Sequence, residues 1–142
     1  MATGRRKQTG AYASLTQLGA KAGIPAAPDE AVLERVPNPH PRKLYLTRFT
    51  APEFTSLCPI TGQPDFGEIR ITYVPDELCI ELKSLKLYIF GYRQRGIFYE
   101  AATNQILDDL AAACQPRRMT VVGDFTPRGG VSTRVTATYT KS

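Results

Sequence analysis

Glu68-Ile69-Arg70-Ile71-Thr72-Tyr73, followed beyond Pro75 by Leu82-Lys83-Ser84-Leu85-Lys86-Leu87-Tyr88-Ile89-Phe90, contains the change of period that decides the fold. In the first stretch Ile69, Ile71 and Tyr73 alternate with Glu68, Arg70 and Thr72, the pattern of a strand with one buried face. Pro75 ends it. In the second stretch Leu82, Leu85 and Ile89 share one stripe while Lys83 and Lys86 lie nearer the other side, which predicts an amphipathic helix. Arg95-Gly96 breaks that pattern. Phe98, Ala102, Ile106, Leu110 and Ala113 then recur at helical spacing as far as Gln115-Pro116 and predict a second helix.

Upstream, Leu44-Tyr45-Leu46-Thr47-Arg48-Phe49 has the β-rich composition of a first strand leading into a loop around Cys58. Downstream, Met119 to Thr126 and Val131 to Tyr139 read as two strands separated by Pro127-Arg128-Gly129-Gly130, a strong turn signal. The expected order is therefore ββααββ. Two hairpins flanking a helix pair make an antiparallel four-stranded sheet with both helices on one face, an α+β layer arrangement. The unpaired outer edges of such a sheet favour association of several subunits into a ring or barrel.

At 142 residues the chain is expected to be one domain. Residues 1–14 mix Gly, Ser, Thr and basic residues without periodicity and predict a flexible tail, leaving residues 15–142 as the domain. Leu15 to Pro41 alternates short apolar patches with Pro and Gly, so it is expected to wrap the domain, with Asp29 to Val36 forming one helical turn or a short strand. No apolar run approaches the roughly 18 residues of a membrane span. The start, Met1 to Lys7, is basic but lacks the apolar stretch and cleavage site of a secretory signal, so a cytoplasmic location is expected.

Three cysteines without a Cys-x-x-Cys pair argue against both a disulfide framework and a zinc knuckle. The one histidine, His40, lies in Pro37-Asn38-Pro39-His40-Pro41 and reads as a solvated linker residue, so a metal-free mechanism is expected. The net charge of +5 suits an anionic partner, either nucleic acid or a phosphate-bearing cofactor. No Gly-x-Gly-x-x-Gly follows a strand, which excludes a Rossmann cofactor site as far as a motif can.

Cys58-Pro59-Ile60-Thr61-Gly62-Gln63-Pro64-Asp65 brings a thiol and an acid together just before a strand. A nucleophilic Cys needs partial exposure and surroundings that favour its thiolate, both easily supplied on a turn. Residue type alone leaves alternatives open. A free Cys is equally at home as an inert buried side chain. Asp65 suits a turn beside Pro64, Glu100 suits the first turn of a helix as a favourable charge, and Lys83 and Lys86 suit a solvated helix face.

The runs from Phe54 to Phe66, Glu81 to Tyr88 and Phe125 to Gly130 closely resemble the NADPH-dependent 7-cyano-7-deazaguanine reductases, the nitrile reductases of queuosine biosynthesis. The resemblance extends from about Leu15 to Tyr139, in the single-module form. Its most specific block is Glu81-Leu82-Lys83-Ser84-Leu85-Lys86-Leu87-Tyr88, which separates these reductases from their cyclohydrolase relatives. It implies the tunnelling fold, in which subunit sheets form a multi-chain barrel with sites between subunits, here a decamer of two pentameric rings.

The same resemblance gives Cys58 the role of nucleophile on the nitrile carbon, forming a thioimide, and Asp65 that of proton donor. Glu100 is the glutamate that grips the guanine-like edge of the substrate, and Ile80, Glu81 and Leu82 are a second substrate-contacting stretch. Lys83, Lys86, Arg128 and Gly129 are implied contacts of the NADPH cofactor. Familiar members carry Phe-His-Glu where this chain has Phe98-Tyr99-Glu100. A tyrosine, with an ordinary pKa near 10, is a poor proton shuttle at neutral pH, so Tyr99 is expected to bind substrate. No direct contact with nucleic acid or membrane is implied.

Two other readings compete. One is a related tunnelling-fold pterin or purine enzyme using the same glutamate. The other is a basic RNA-binding module without catalysis, suggested by the net charge and the seven tyrosines. It leaves Cys58, Asp65 and Glu100 unexplained.

Overall fold

Residues 64–74 express their alternation as a strand whose odd-numbered residues from Asp65 to Tyr73 are all buried. The computed structural model describes residues 10–16, 18, 23, 25–30 and 32–142. Of the flexible tail expected over residues 1–14, residues 1–9 lie outside the described residues, and Gly10–Tyr12 form a short, exposed 3-10 turn. The strands are β1 (Arg35–Pro37), β2 (Thr47–Leu57), β3 (Pro64–Val74), β4 (Leu78–Ile80), β5 (Arg118–Arg128) and β6 (Val131–Thr140). Between β4 and β5 come helices α1 (Leu82–Phe90) and α2 (Tyr99–Cys114).

The main sheet has the order β2-β3-β5-β6 and is antiparallel throughout. The expected ββααββ order is therefore the frame of the molecule. Its inner face, from Ile69, Ile71, Tyr73, Met119 and Val121, meets Leu85 of α1 and Ile106 and Leu110 of α2 in one core. Removing each such aliphatic side chain from water stabilises the fold by about 1.5–3 kcal/mol, which is what holds the helices to the sheet. A second, two-stranded sheet pairs β1 with β4, Arg35 opposite Ile80. The segment expected to be a turn or a strand contains both, a 3-10 turn at Pro28–Glu30 and then β1.

The first strand differs from expectation. It begins at Thr47 rather than Leu44 and continues through Leu57, so residues assigned to a loop belong to the sheet. A register shift between Ala51 and Phe54 interrupts the alternation: Phe49 and Ala51 are half-buried on one side of it, Phe54 and Ser56 fully buried on the other. A bulge around Pro52, which has no N–H to donate, hides such a continuation from a period-two reading. Likewise β3 starts at Pro64, so Asp65 is a strand residue opposite Ser56 and not a turn residue.

Helix α1 starts where Glu81 folds its carboxylate over the first turn, accepting from the N–H of Lys83 at 2.9 Å and of Ser84 at 2.7 Å. It tightens into a 3-10 turn at Gly91, where a Cβ would stand 2.6 Å from the backbone nitrogen of Pro28, so only glycine allows this approach. The Tyr88 hydroxyl donates to Asp109 at 2.6 Å and ties α1 to α2. No helix among the described residues is long and apolar enough to cross a membrane.

Candidate active site

The turn after β2, the turn after β5 and the first residues of α2 meet at one end of the sheet. The end of β2 is fixed there by two backbone bonds to the link between the helices: Leu57 N–H to Arg95 O at 2.9 Å and Ile97 N–H to Leu57 O at 3.0 Å. Cys58 follows directly. Its N–H donates to Gln63 O at 2.8 Å and its carbonyl accepts from Gly62 N–H at 2.8 Å, closing a tight turn that needs Gly62 at φ 71°.

The Cys58 residue is only 8% exposed, less than a sequence reading of a turn thiol suggests. Its surroundings nevertheless favour the thiolate. The Thr61 hydroxyl, the backbone N–H groups of Thr61 and Ile60 and, more weakly, the Arg128 guanidinium lower its pKa to about 7, against the opposing effect of burial. Cys114, by contrast, is buried in the core and pushed up to about 12. Thr61 escaped the sequence reading; a hydroxyl residue inside a turn that closes back on a cysteine is the signal that marks it.

Asp65 is 5% exposed. Its Oδ1 receives the Arg128 guanidinium at 2.9 Å and the Tyr99 hydroxyl at 3.0 Å. Tyr99 is held for this contact by stacking on Phe125, with ring centroids 4.0 Å apart and planes 10° from parallel. Partial burial first, and the neighbouring Asp65 second, raise the Tyr99 pKa, so its hydroxyl stays a donor. Opposite Asp65, the buried Ser56 hydroxyl has no hydrogen-bond partner among the described residues. Tyr99 and Arg128 thus both reach the acid, a junction that sequence reasoning missed. Glu100 sits beside Tyr99 in the first turn of α2, exposed, and its carboxylate makes no hydrogen bond or ion pair among the described residues.

Ile80, Glu81 and Leu82 form the junction of β4 and α1. Ile80 N–H donates to the Tyr73 hydroxyl at 3.1 Å, the Glu81 carboxylate caps α1, and Leu82 is exposed. Glu81 and Leu82 line a groove of about 620 Å³ between α1 and β2, with Lys83, Lys86, Phe49 and Phe90. None of Cys58, Asp65, Tyr99, Glu100 and Arg128 borders this groove. Within one chain, then, the site residues form two groups: the thiol–acid cluster with Arg128 and Gly129, and the groove with Lys83 and Lys86.

These donors fit an anionic dinucleotide. The groove carries the cations Lys83, Lys86 and Arg93 beside the carboxylates of Glu53 and Glu81, on walls that are otherwise largely apolar, so the cations suit phosphates and the walls flat rings. At the other group, Gly129 and Gly130 adopt φ 58° and 78° with open space where a Cβ would be, leaving backbone accessible beside Arg128.

The ββααββ sheet-and-helix chain thus gathers a thiol, a buried carboxylate and a guanidinium at one end of its sheet. The family model described as QueF-like protein matches residues 64–142. The NADPH-dependent 7-cyano-7-deazaguanine reductase of Magnetococcus marinus is 56% identical over 114 residues, covering 80% of this chain and 89% of that protein. The reductase of the same name from Chlorobaculum tepidum is 54% identical over 114 residues, 80% of this chain and 97% of its own. Among solved structures, the archaeosine synthase QueF-Like in its apo form superposes with a TM-score of 0.62 at 27% identity, over 66% of this chain and 91% of that one. The chain belongs to the QueF-like family of NADPH-dependent 7-cyano-7-deazaguanine reductases.

Proposed function

We propose that this chain uses NADPH to reduce the nitrile of 7-cyano-7-deazaguanine to the primary amine of 7-aminomethyl-7-deazaguanine, a cytoplasmic step of queuosine tRNA modification. The observation that carries this reading is the Cys58 thiol, near-neutral in pKa, in a cluster with a buried carboxylate. Asp65 takes the proton of the Cys58 thiol, and the thiolate adds to the nitrile carbon, forming a C–S bond. The displaced π pair moves to nitrogen, which takes a proton from Asp65 and leaves a thioimide.

NADPH, when bound, supplies two successive hydrides to that carbon. Between them the C–S bond breaks and its electron pair returns to Cys58. Asp65 returns protons to nitrogen, and Tyr99 steadies it by the hydroxyl bond while standing beside the substrate. The Glu100 carboxylate pairs with adjacent N–H donors of the 2-amino-4-oxo ring, which an adenine-like ring does not present. Ile80, Glu81 and Leu82 supply further substrate contacts, and Lys83, Lys86, Arg128 and Gly129 hold the cofactor phosphates.

The two groups of site residues, and outer edges of β2 and β6 that pair with no further strand of the sheet among the described residues, support a site completed between subunits. Residues 15–142 then act as one reductase domain in a barrel, a decamer of two pentamers, without direct contact to nucleic acid or membrane. Nitrile-dependent loss of NADPH absorbance, at two NADPH per nitrile, tests the reaction. A purified, folded protein that oxidises no NADPH with this nitrile contradicts it. Analytical ultracentrifugation tests the assembly, and a monomer under turnover conditions contradicts that part.

A further inference from the structure

We propose that Arg128 is a positioning residue for the nucleophile: one guanidinium, reaching from the end of β5, braces Asp65 and the Cys58 turn together and holds the thiol ready to react. The proposal rests on the reductase reading, and adds a second task to the cofactor contact that reading gives Arg128.

The geometry is that of a fork. Arg128 Nη1 lies 2.9 Å from Asp65 Oδ1, and Nη2 reaches 3.5 Å toward the Gln63 side-chain oxygen. Gln63 is the residue whose backbone carbonyl takes the Cys58 N–H, so the same guanidinium touches both the acid and the turn that carries the thiol. The Cys58 thiol and the Tyr99 hydroxyl lie within reach of its charge. Planar, five-donor arginine suits this arrangement, whereas a lysine ammonium is a point charge that cannot span it in the same way.

The groups facing Cys58 explain why the charge matters. From its own turn come the Thr61 hydroxyl and two backbone N–H groups, and from the end of β5 comes Arg128, which also holds Asp65 of β3, the acid that the Tyr99 hydroxyl of α2 reaches. Arg95, on the link that pins the end of β2, pairs with Asp29 at 3.8 Å. Arg128 brings the positive charge among these groups, and a cation near a thiol favours the thiolate. Arg128 itself is 44% exposed at a hairpin tip, so replacing it leaves the core untouched.

The test is the pH dependence of Cys58 alkylation by iodoacetamide, followed by peptide mass spectrometry on the intact assembly with neither nitrile nor NADPH. The wild-type midpoint is expected near 7. Arg128→Gln is expected to raise it, slowing alkylation at pH 7 roughly twofold. Arg128→Lys is expected to raise it less. Arg42→Gln, which removes the same charge from an exposed position outside every strand and helix, is expected to leave it in place. An unmoved midpoint in either folded Arg128 variant, or an equal shift in Arg42→Gln, overturns the proposal. Failure of the wild type to react with the nitrile contradicts the reductase reading instead, and leaves this comparison standing.

Discussion

Tyr99 on α2 donates its hydroxyl hydrogen to Asp65 on β3 at 3.0 Å, joining residues 34 positions apart in the chain. The ring is held separately, by its stack on Phe125. Tyr99→Phe removes the donor while keeping the stack, so the fold is expected to survive. A hydrogen bond to a charged group contributes about 1.5 kcal/mol at the low end, so kcat is expected to fall roughly tenfold. Steady-state kinetics with saturating NADPH check this, with near-UV circular dichroism as the control for packing.

In the proposed mechanism Asp65 carries the protons of the reaction, whereas formation of the C–S bond depends mainly on the thiolate. Asp65→Asn is therefore expected to spare the covalent adduct more than the turnover, which should fall by about 10²-fold or more. Single-turnover measurement of adduct beside steady-state NADPH oxidation separates the two. Equal loss of both means that Asp65 chiefly prepares the thiol.

Glu81 is both a helix cap and a neighbour of the groove. Glu81→Ala leaves the Lys83 and Ser84 N–H groups without their acceptor and is expected to cost about 1 kcal/mol of stability. Because the same cap fixes the junction holding Ile80 and Leu82, KM for the nitrile is expected to rise as well. Glu81→Gln, whose amide oxygen still accepts, should recover part of the stability. Denaturant titration and kinetics on the same preparations check both effects.

The Cys58 pKa of about 7 gives the pH dependence a definite sign. Below it the thiol is protonated, and the rate of nitrile adduct formation should fall about tenfold per pH unit. Above it the rate should level off. Cys114, at about 12, should stay unmodified throughout this range. A stopped-flow profile between pH 5 and 9 reads the midpoint directly.

The parts of the molecule legible in the sequence are those with local signals. Ile69, Ile71 and Tyr73 mark β3 by alternation, and Leu82 to Phe90 coincides with α1, although its buried face runs through Ser84, Leu85 and Tyr88 while Leu82, expected on the buried stripe, is exposed. The bulge around Pro52 erased the alternation of β2, so its outer half went unseen. β1 and β4 are three residues each, too short to carry a period. For the site, the motif block drew attention to Cys58, Asp65 and Glu100. The contacts of Arg128 and Tyr99 with Asp65 depend instead on where a hairpin tip and a helix start come to rest against β3. No spacing in the chain encodes a meeting of that kind. Arg128 consequently read as a cofactor contact alone.

Intact-protein mass spectrometry after mixing with 7-cyano-7-deazaguanine in the absence of NADPH tests the central claim most directly. The account predicts one adduct per chain, of the mass of the whole nitrile, mapped to Cys58 and absent from Cys58→Ala. An unmodified Cys58 under conditions in which the same preparation turns over NADPH contradicts it.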